Sequence, residues 1–168
     1  MSIDFFKASC QTTTNNIQFG LCDDDDVFPN ETPAYVDDVD PAIWIAEVSN
    51  PKGIHVTFTA IDHCIDGILR SDGENDNKCD GMLTYPESIL FVELKNRKSG
   101  GWVTKGLDQI NKTIVHFTNN NDINLYPNKL AYISNNLRPN FSKSYLSVIQ
   151  KFKDDTDFNL NIKRLIEI

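Results

Sequence analysis

The stretch KCDGMLTYPESILFVELK, residues 78–95, contains two short apolar runs on either side of a turn signal. Both runs, residues 78–83 and 89–95, have the length and apolar content of strands in a buried sheet. The linker between them, residues 84–88, is short enough to favour antiparallel neighbours. We therefore expect two adjacent antiparallel strands here.

In that pairing Asp80 and Glu93 lie side by side, and Lys95 projects to the same face as Glu93. Two adjacent carboxylates repel each other unless a cation or a proton separates them. Oxygen ligands suit Mg2+, which keeps several waters and leaves room for a phosphate oxygen and an attacking water. The Lys95 ammonium would then polarise that water and offset transition-state charge. The alternative is a purely structural Glu93–Lys95 ion pair. We favour a Mg2+ site that also accepts Mn2+.

An amphipathic helix is predicted over residues 104–117, because apolar residues recur there at helical spacing. Beside the apolar stripe, Lys105, Gln109 and Lys112 form a polar row at i, i+4, i+7 spacing. The row is placed to reach a phosphate backbone, although two lysines on a helix flank are also typical of a solvated surface. A further buried strand is predicted over residues 129–134.

This order of elements resembles the PD-(D/E)XK nuclease superfamily, whose core is αβββαβ. The likeness covers about residues 54–134 and extends to small bacterial members. It implies that Asp80 and Glu93 are metal ligands, that Lys95 is the catalytic lysine and that Gln109 is the glutamine of the following helix. Cys79 stands where the superfamily name has proline, a position that often varies. The expected fold is thus α/β: a single mixed-sheet domain with this core, an added N-terminal hairpin and an added C-terminal strand.

A fourth acid is usual in that superfamily, and three residues compete for the role. If residues 41–48 are helical, Glu47 faces the site. Turn chemistry and β-branched content favour instead a hairpin of residues 43–48 and 54–59, which leaves Glu47 on the surface and makes Asp62 the better candidate. Asp66 ranks third, on a first core strand from Cys64 to Leu69. The order of preference is Asp62, Glu47, Asp66.

Composition sets the broad class of the chain. At 168 residues and 40% hydrophobic content, residues 1–168 are expected to form one domain, with a polar acidic extension over about residues 1–40. No targeting signal or membrane-spanning stretch is recognisable. Toward the C-terminus the apolar pattern predicts a short helix from about Ser142 and a strand around Arg164.

The four cysteines lack zinc-type spacing, so they are expected to be reduced and mostly buried in a cytoplasmic protein. They are Cys10, Cys22, Cys64 and Cys79, of which Cys64 and Cys79 could approach each other across strands.

The net charge of −8 opposes an extended nucleic-acid grip. Much of the negative charge is local, in the run Asp23 through Asp26 and in Asp37, Asp38 and Asp40. Basic residues cluster after Glu93. The acidic charges lie far from this cluster and are screened at physiological salt, so the local basic patch can still act on a ligand.

The expected function is Mg2+-dependent phosphodiester hydrolysis, in DNA rather than RNA, within bacterial defence or DNA processing. The alternative is a non-catalytic, acidic protein-binding module, such as an immunity-type inhibitor or a subunit of a larger nuclease assembly. A third reading is a nuclease that needs a basic partner to bind nucleic acid. The partners considered are therefore nucleic acid, another protein, and a second copy of the chain in a homodimer.

Overall fold

The computed structural model describes residues 2–24, 32–98, 100–137 and 143–168. The strands are β1 (Gln11–Thr14), β2 (Gln18–Cys22), β3 (Tyr35–Asp37), β4 (Ala46–Ser49), β5 (Val56–Ala60), β6 (Gly81–Tyr85), β7 (Ser88–Lys95), β8 (Asn128–Asn135), β9 (Asn159–Ile162) and β10 (Leu165–Glu167). The helices are α1 (Trp102–Asn120) and α2 (Leu146–Thr156). The predicted start of α2 at Ser142 lies outside the described residues.

Two mixed sheets and two helices make the protein α/β, as predicted. The larger sheet has six strands in the order β1-β5-β6-β7-β8-β9, and the smaller has the order β10-β4-β2-β3. In the larger sheet β1, β5, β6 and β7 are antiparallel neighbours, whereas β7, β8 and β9 are parallel. The predicted antiparallel pairing of the two strands in residues 78–95 is confirmed, and a tight turn with Glu87 at φ 57° joins them.

β7, inside the six-stranded sheet, is buried on both faces along its whole length, which explains its nearly continuous apolar run. Ile89 and Phe91 belong to a core shared with the helices. Leu90 and Val92, which alternate with them, belong to a second core shared with the four-stranded sheet. Glu93 and Lys95 continue the alternation on the helix side. The layers are therefore helices, six-stranded sheet and four-stranded sheet.

The element order from β5 through β6, β7 and α1 to β8 is the predicted one. The helix that the αβββαβ core requires ahead of β5 is not found, since residues 2–24 and 32–55 contain strands and a short 3-10 turn but no α-helix. Neither helix of the described ranges has the length and apolar character to cross a membrane.

Three predicted elements are wrong. Residues 43–48 and 54–59 do not form a hairpin, because β4 pairs with β2 and β10 while β5 pairs with β1 and β6. Residues 64–69 do not form a core strand: Cys64 ends a turn and the rest are irregular, apart from one isolated bridge between Leu69 and Asn75. The predicted single C-terminal strand is divided at Lys163 and Arg164, so that β9 extends one sheet and β10 the other.

Cys10 and Cys64 form a disulfide bond, whereas Cys22 and Cys79 are buried free thiols. The prediction of reduced thiols is therefore wrong for the first two, and Cys64 bonds Cys10 rather than approaching Cys79. Cys10 directly precedes β1 and Cys64 lies in the turn after β5, so the β1–β5 pairing brings them together. Disulfides are typical of oxidising compartments. The cytoplasmic location, which relied on reduced thiols, stays a prediction.

Candidate functional site

Asp80 and Glu93 lie opposite each other at the end of the β6–β7 pairing. The last paired residues are Gly81 and Val92, and the same register places Asp80 across from Glu93. Here the carboxylate of Asp80 enters the space between the strands, and its Oδ2 accepts a hydrogen bond of 2.5 Å from the Leu94 amide. The adjacent carboxylates expected from the sequence are thus brought together.

Glu93 and Lys95 form a buried ion pair on the helix face of β7. The Lys95 Nζ donates to Glu93 Oε1, and also to Gln109 Oε1 at 3.0 Å. Only 1% of Glu93 and 7% of Lys95 is exposed, so neither charge is solvated as it would be on a surface. Gln109 in turn donates to the backbone carbonyl of Lys78 at 3.1 Å. The helix glutamine therefore fixes the ammonium of Lys95 against the Glu93 carboxylate.

A pocket of about 150 Å³ opens beside this pair. It is lined by four acids, three bases and two further residues: Asp23, Asp62, Asp80, Glu93, Lys95, Arg97, Lys105, Leu94 and Gln109. The pocket is small and almost entirely polar in its side chains, which suits a hydrated ion and one phosphate group better than an apolar ligand.

Asp62 is the one residue of the three fourth-acid candidates that lines this pocket. It follows the end of β5, where Ile61 donates its amide to the Asp80 carbonyl at 2.9 Å. The Asp62 carboxylate also lies 3.3 Å from His63 Nε2 and 3.7 Å from Lys78 Nζ. Its position agrees with the first-ranked choice, and its role as a ligand stays a prediction.

Glu47 and Asp66 lie away from the pocket, so neither is a fourth acid of this site. Glu47 is in β4 of the smaller sheet, where its Oε1 accepts from Gln18 at 2.7 Å. Asp66 is exposed and pairs with Lys7 at 3.0 Å. Glu47 would face the site only if residues 41–48 were helical, and Asp66 only on a strand from Cys64 to Leu69; neither element forms.

The predicted polar row on α1 is divided by the structure. Lys105 is exposed and lines the pocket. Lys112 lies farther along the helix, where its Nζ is 3.0 Å from Asp108 and 3.4 Å from Asp76. The charge of Lys112 is therefore offset locally, and Lys105 is the residue of the pair that lines the pocket.

The surroundings of Asp80 and Glu93 favour a proton or a cation at their two carboxyl groups. Burial raises the pKa of Glu93 from 4.5 to about 7, against the opposing effect of the Lys95 ammonium. Burial, and then the charge of Glu93, raise the pKa of Asp80 well above its usual range. The neighbouring Asp23 raises both pKa values further. A bound divalent cation would relieve this repulsion.

The oxygen atoms present fit Mg2+ as a partly hydrated ion. Glu93 Oε2 is buried and has no hydrogen-bond partner, so one carboxylate oxygen is left unsatisfied at the pocket. In the described part of the chain, no three His, Cys, Asp or Glu side chains are grouped closely enough to hold a metal by themselves. Mg2+ needs only one or two protein carboxylates because it keeps several waters. Asp80 and Glu93 meet that requirement.

Sequence reasoning missed Asp23 as a site residue and counted it only as part of the local acidic run. Asp23 directly follows the buried strand β2, which delivers it to the pocket from the smaller sheet. An acid at the end of a buried strand is the signal that could have found it. Asp25 and Asp26, the rest of that run beyond Asp24, lie outside the described residues.

Comparisons of the chain with protein-family models, curated proteins and solved structures gave no match.

Proposed function

We propose that this protein is a Mg2+-dependent nuclease that hydrolyses phosphodiester bonds, with DNA as the expected substrate. The observation that carries the proposal is the buried Glu93–Lys95 pair beside Asp80, with Glu93 Oε2 unsatisfied at a polar pocket. Burying two carboxylates and an ammonium together is costly for stability, so a functional use of their charge is the simplest reason for the arrangement.

Each residue has a definite task in that reaction. Asp80 and Glu93 supply the oxygen atoms that would hold Mg2+, which when bound polarises a phosphate oxygen and lowers the pKa of a water. Lys95, whose ammonium is held by Glu93 and Gln109, would offset the negative charge that develops on the phosphate. Because the Lys95 side chain is already fixed, no reorganisation is needed when that charge appears.

The basic side chains of the pocket favour a phosphodiester over an uncharged substrate. Arg97 and Lys105 line the same small pocket as the acids, from β7's extension and from α1. Their positive charges can contact the phosphates on either side of the scissile bond, while the distant acidic residues are screened over about 8 Å at physiological salt. With a bound Mg2+, these bases and the ion would offset the four acids of the pocket, which supports nucleic-acid binding there despite the net charge of −8.

The decisive experiment is digestion of linear and circular DNA and of RNA, with Mg2+ or with EDTA. Wild type is compared with Glu93→Gln and Lys95→Met, which keep side-chain size but remove charge, and with Lys151→Ala as a matched control. Lys151 lies on α2, where its exposed side chain pairs only with its helix neighbour Asp155 in the contacts described. We expect cleavage with Mg2+ by wild type and Lys151→Ala, and none by the two site variants.

Two outcomes would contradict the proposal. Cleavage that survives in Lys95→Met or in EDTA would assign the activity to another site or to a contaminant. An absence of both cleavage and DNA affinity at low salt with Mg2+ would favour the protein-binding module instead. Of the acidic residues behind that alternative, Asp37 is engaged within the fold, since it accepts a hydrogen bond from Trp44 Nε1 at 2.8 Å.

A further inference from the structure

The segment that leads into β6 is held by helix α1 instead of by a neighbouring strand. Gln109 Nε2 donates to the carbonyl of Lys78 at 3.1 Å, and the amide of Cys79 donates to Thr113 Oγ1 at 2.8 Å. Asn77 Nδ2 donates to Asp108, which immediately precedes Gln109 on the same helix. Helix α1 therefore supplies the hydrogen-bond partners of the backbone immediately before Asp80.

At this point a regular β-ladder would bring Cys79 and Leu94 together. The Ile61 amide bonds the Asp80 carbonyl, so Asp80 turns its backbone groups toward β5. In an antiparallel ladder the next residue, Cys79, would then exchange two backbone hydrogen bonds with Leu94. Instead, the Cys79 amide bonds Thr113, and the Leu94 amide bonds the carboxylate of Asp80. The Thr113 hydroxyl and the Asp80 carboxylate therefore take the places of the two backbone carbonyls that would have accepted these bonds.

Thr113 holds the Cys79 amide in a fixed position. Its side chain is fully buried, and its hydroxyl donates to the Gln109 carbonyl at 2.8 Å while accepting from Cys79. Because the hydroxyl is bonded on both sides, it can accept the Cys79 amide in only one position. Valine would have the same shape but could make neither bond.

We propose that Thr113 is a positioning residue of the candidate site. Its hydroxyl draws Cys79 away from β7, which opens the gap into which the Asp80 carboxylate inserts, against the Leu94 amide and opposite Glu93. The consequence for metal binding and cleavage rests on the proposed function. The placement of the Asp80 carboxylate does not, so the two can be tested separately.

The test of placement is amide hydrogen exchange by NMR on the full chain without metal. Removal of the hydroxyl in Thr113→Val should speed exchange at Leu94 about tenfold or more, as expected for the loss of one hydrogen bond. The amide of Phe91, in the middle of β7, is the internal control and should be unchanged. Thr113→Ser retains the hydroxyl and should protect Leu94 as wild type does.

A Mn2+ titration by calorimetry links placement to the metal. Thr113→Val should bind Mn2+ about 10- to 100-fold more weakly than wild type, the usual effect of losing a partner that orients a ligand. Thr113→Ser should bind as wild type does. Should wild type neither bind Mn2+ nor cut DNA, the proposed function fails, and the exchange at Leu94 still decides the role of Thr113.

Three results would overturn the inference. They are unchanged Leu94 protection in Thr113→Val, equal loss in Thr113→Ser and Thr113→Val, or acceleration of Phe91 and Leu94 alike. The second would show that any change at this position disturbs Leu94, whether or not the hydroxyl is kept, and the third would assign the effect to a general loss of stability. If Thr113→Val does not fold, Thr113→Ala removes the same hydroxyl without placing a new methyl against the Cys79 amide, and the same three criteria apply.

Discussion

Gly106 of α1 lies directly against Glu93. A Cβ atom at Gly106 would come within 3.3 Å of Cγ of Glu93 and within 3.2 Å of two side-chain carbons of Ile133. These distances are too short for ordinary contact, so any larger residue would move the helix or the acid by a few tenths of an ångström. The absence of a side chain at Gly106 lets the helix seal one side of the buried ion pair.

Gly106→Ala should therefore impair the site more than the fold. The gain in helix propensity of about 1 kcal/mol offsets part of an overpacking cost of about 1–3 kcal/mol. We expect a small change in the free energy of unfolding together with weaker Mn2+ binding, measured by urea denaturation and calorimetry. Gly100→Ala is the control, since a Cβ there meets nothing within 4 Å. Equal Mn2+ affinities in the two variants would refute the importance of this contact.

The stability of the metal-free protein should fall as pH rises from about 4.5 to about 7. Over this range Glu93 loses its proton in the unfolded chain but keeps most of it in the fold, where its pKa is raised from 4.5 to about 7, so the pair with Lys95 is fully ionised only above that pH. The folded state binds more protons there, so each rise in pH favours unfolding. Asp80, whose pKa is also raised, acts in the same direction.

Urea denaturation at several pH values in EDTA would measure this effect. Glu93→Gln has no charge to lose, so its stability should be less dependent on pH over that range. At pH 8, added Mg2+ should raise the free energy of unfolding of the wild type and leave that of Glu93→Gln nearly unchanged, because a ligand stabilises only the state that binds it. A wild type that grows more stable between pH 5 and 7 in EDTA would show that the buried carboxylates are compensated in another way.

Lys105 and Lys112 should differ in their contribution to DNA binding, although both lie on α1. Lys105→Ala should lower the slope of log affinity against log salt by about 0.7–0.9, the value for one lost phosphate contact. Lys112→Ala should leave the slope unchanged, because Asp76 and Asp108 already offset its charge. Fluorescence anisotropy with a labelled oligonucleotide, in Ca2+ to prevent cleavage, would measure both. The assignment is wrong if Lys112 carries the larger effect.

Reduction of the Cys10–Cys64 disulfide should destabilise the fold without removing the site. The bond closes a loop with a sequence separation of 54 residues. A dithiol reductant should lower the free energy of unfolding by about 2–4 kcal/mol, the usual contribution of a native disulfide. The double variant Cys10→Ser with Cys64→Ser should resemble the reduced protein and should not respond to the reductant. Four titratable thiols in unreduced, unfolded wild type would mean that the bond does not form.

The elements found from the sequence are those defined by neighbours in the chain. The β6–β7 pairing is set by a short turn and α1 by its apolar spacing, so Asp80, Glu93, Lys95 and Gln109 were placed together correctly. β4 was given the wrong partner because its real partners, β2 and β10, lie far from it in sequence.

Asp23 and the disulfide were not predicted from the sequence, for the same physical reason. Asp23 follows a buried strand that its apolar run makes recognisable, but its approach to the pocket depends on the pairings of the four-stranded sheet, which no local pattern predicts. Cys10 meets Cys64 only through the β1–β5 pairing. Thr113 belongs to this class too: nothing in its helix indicates that its hydroxyl takes the amide of Cys79.

The parallel pairing of β10 with β4 has a consequence for the order in which the protein folds. Leu165 is paired with Glu47, and Glu167 with Ser49, across more than two thirds of the chain. During synthesis the edge of the smaller sheet at β4 therefore stays open until residues 165–167 have left the ribosome. Such distant contacts slow folding, because a long loop must be closed before the pairing is rewarded. An exposed β4 edge in the nascent chain is a place where chaperones would act or where two chains could pair wrongly.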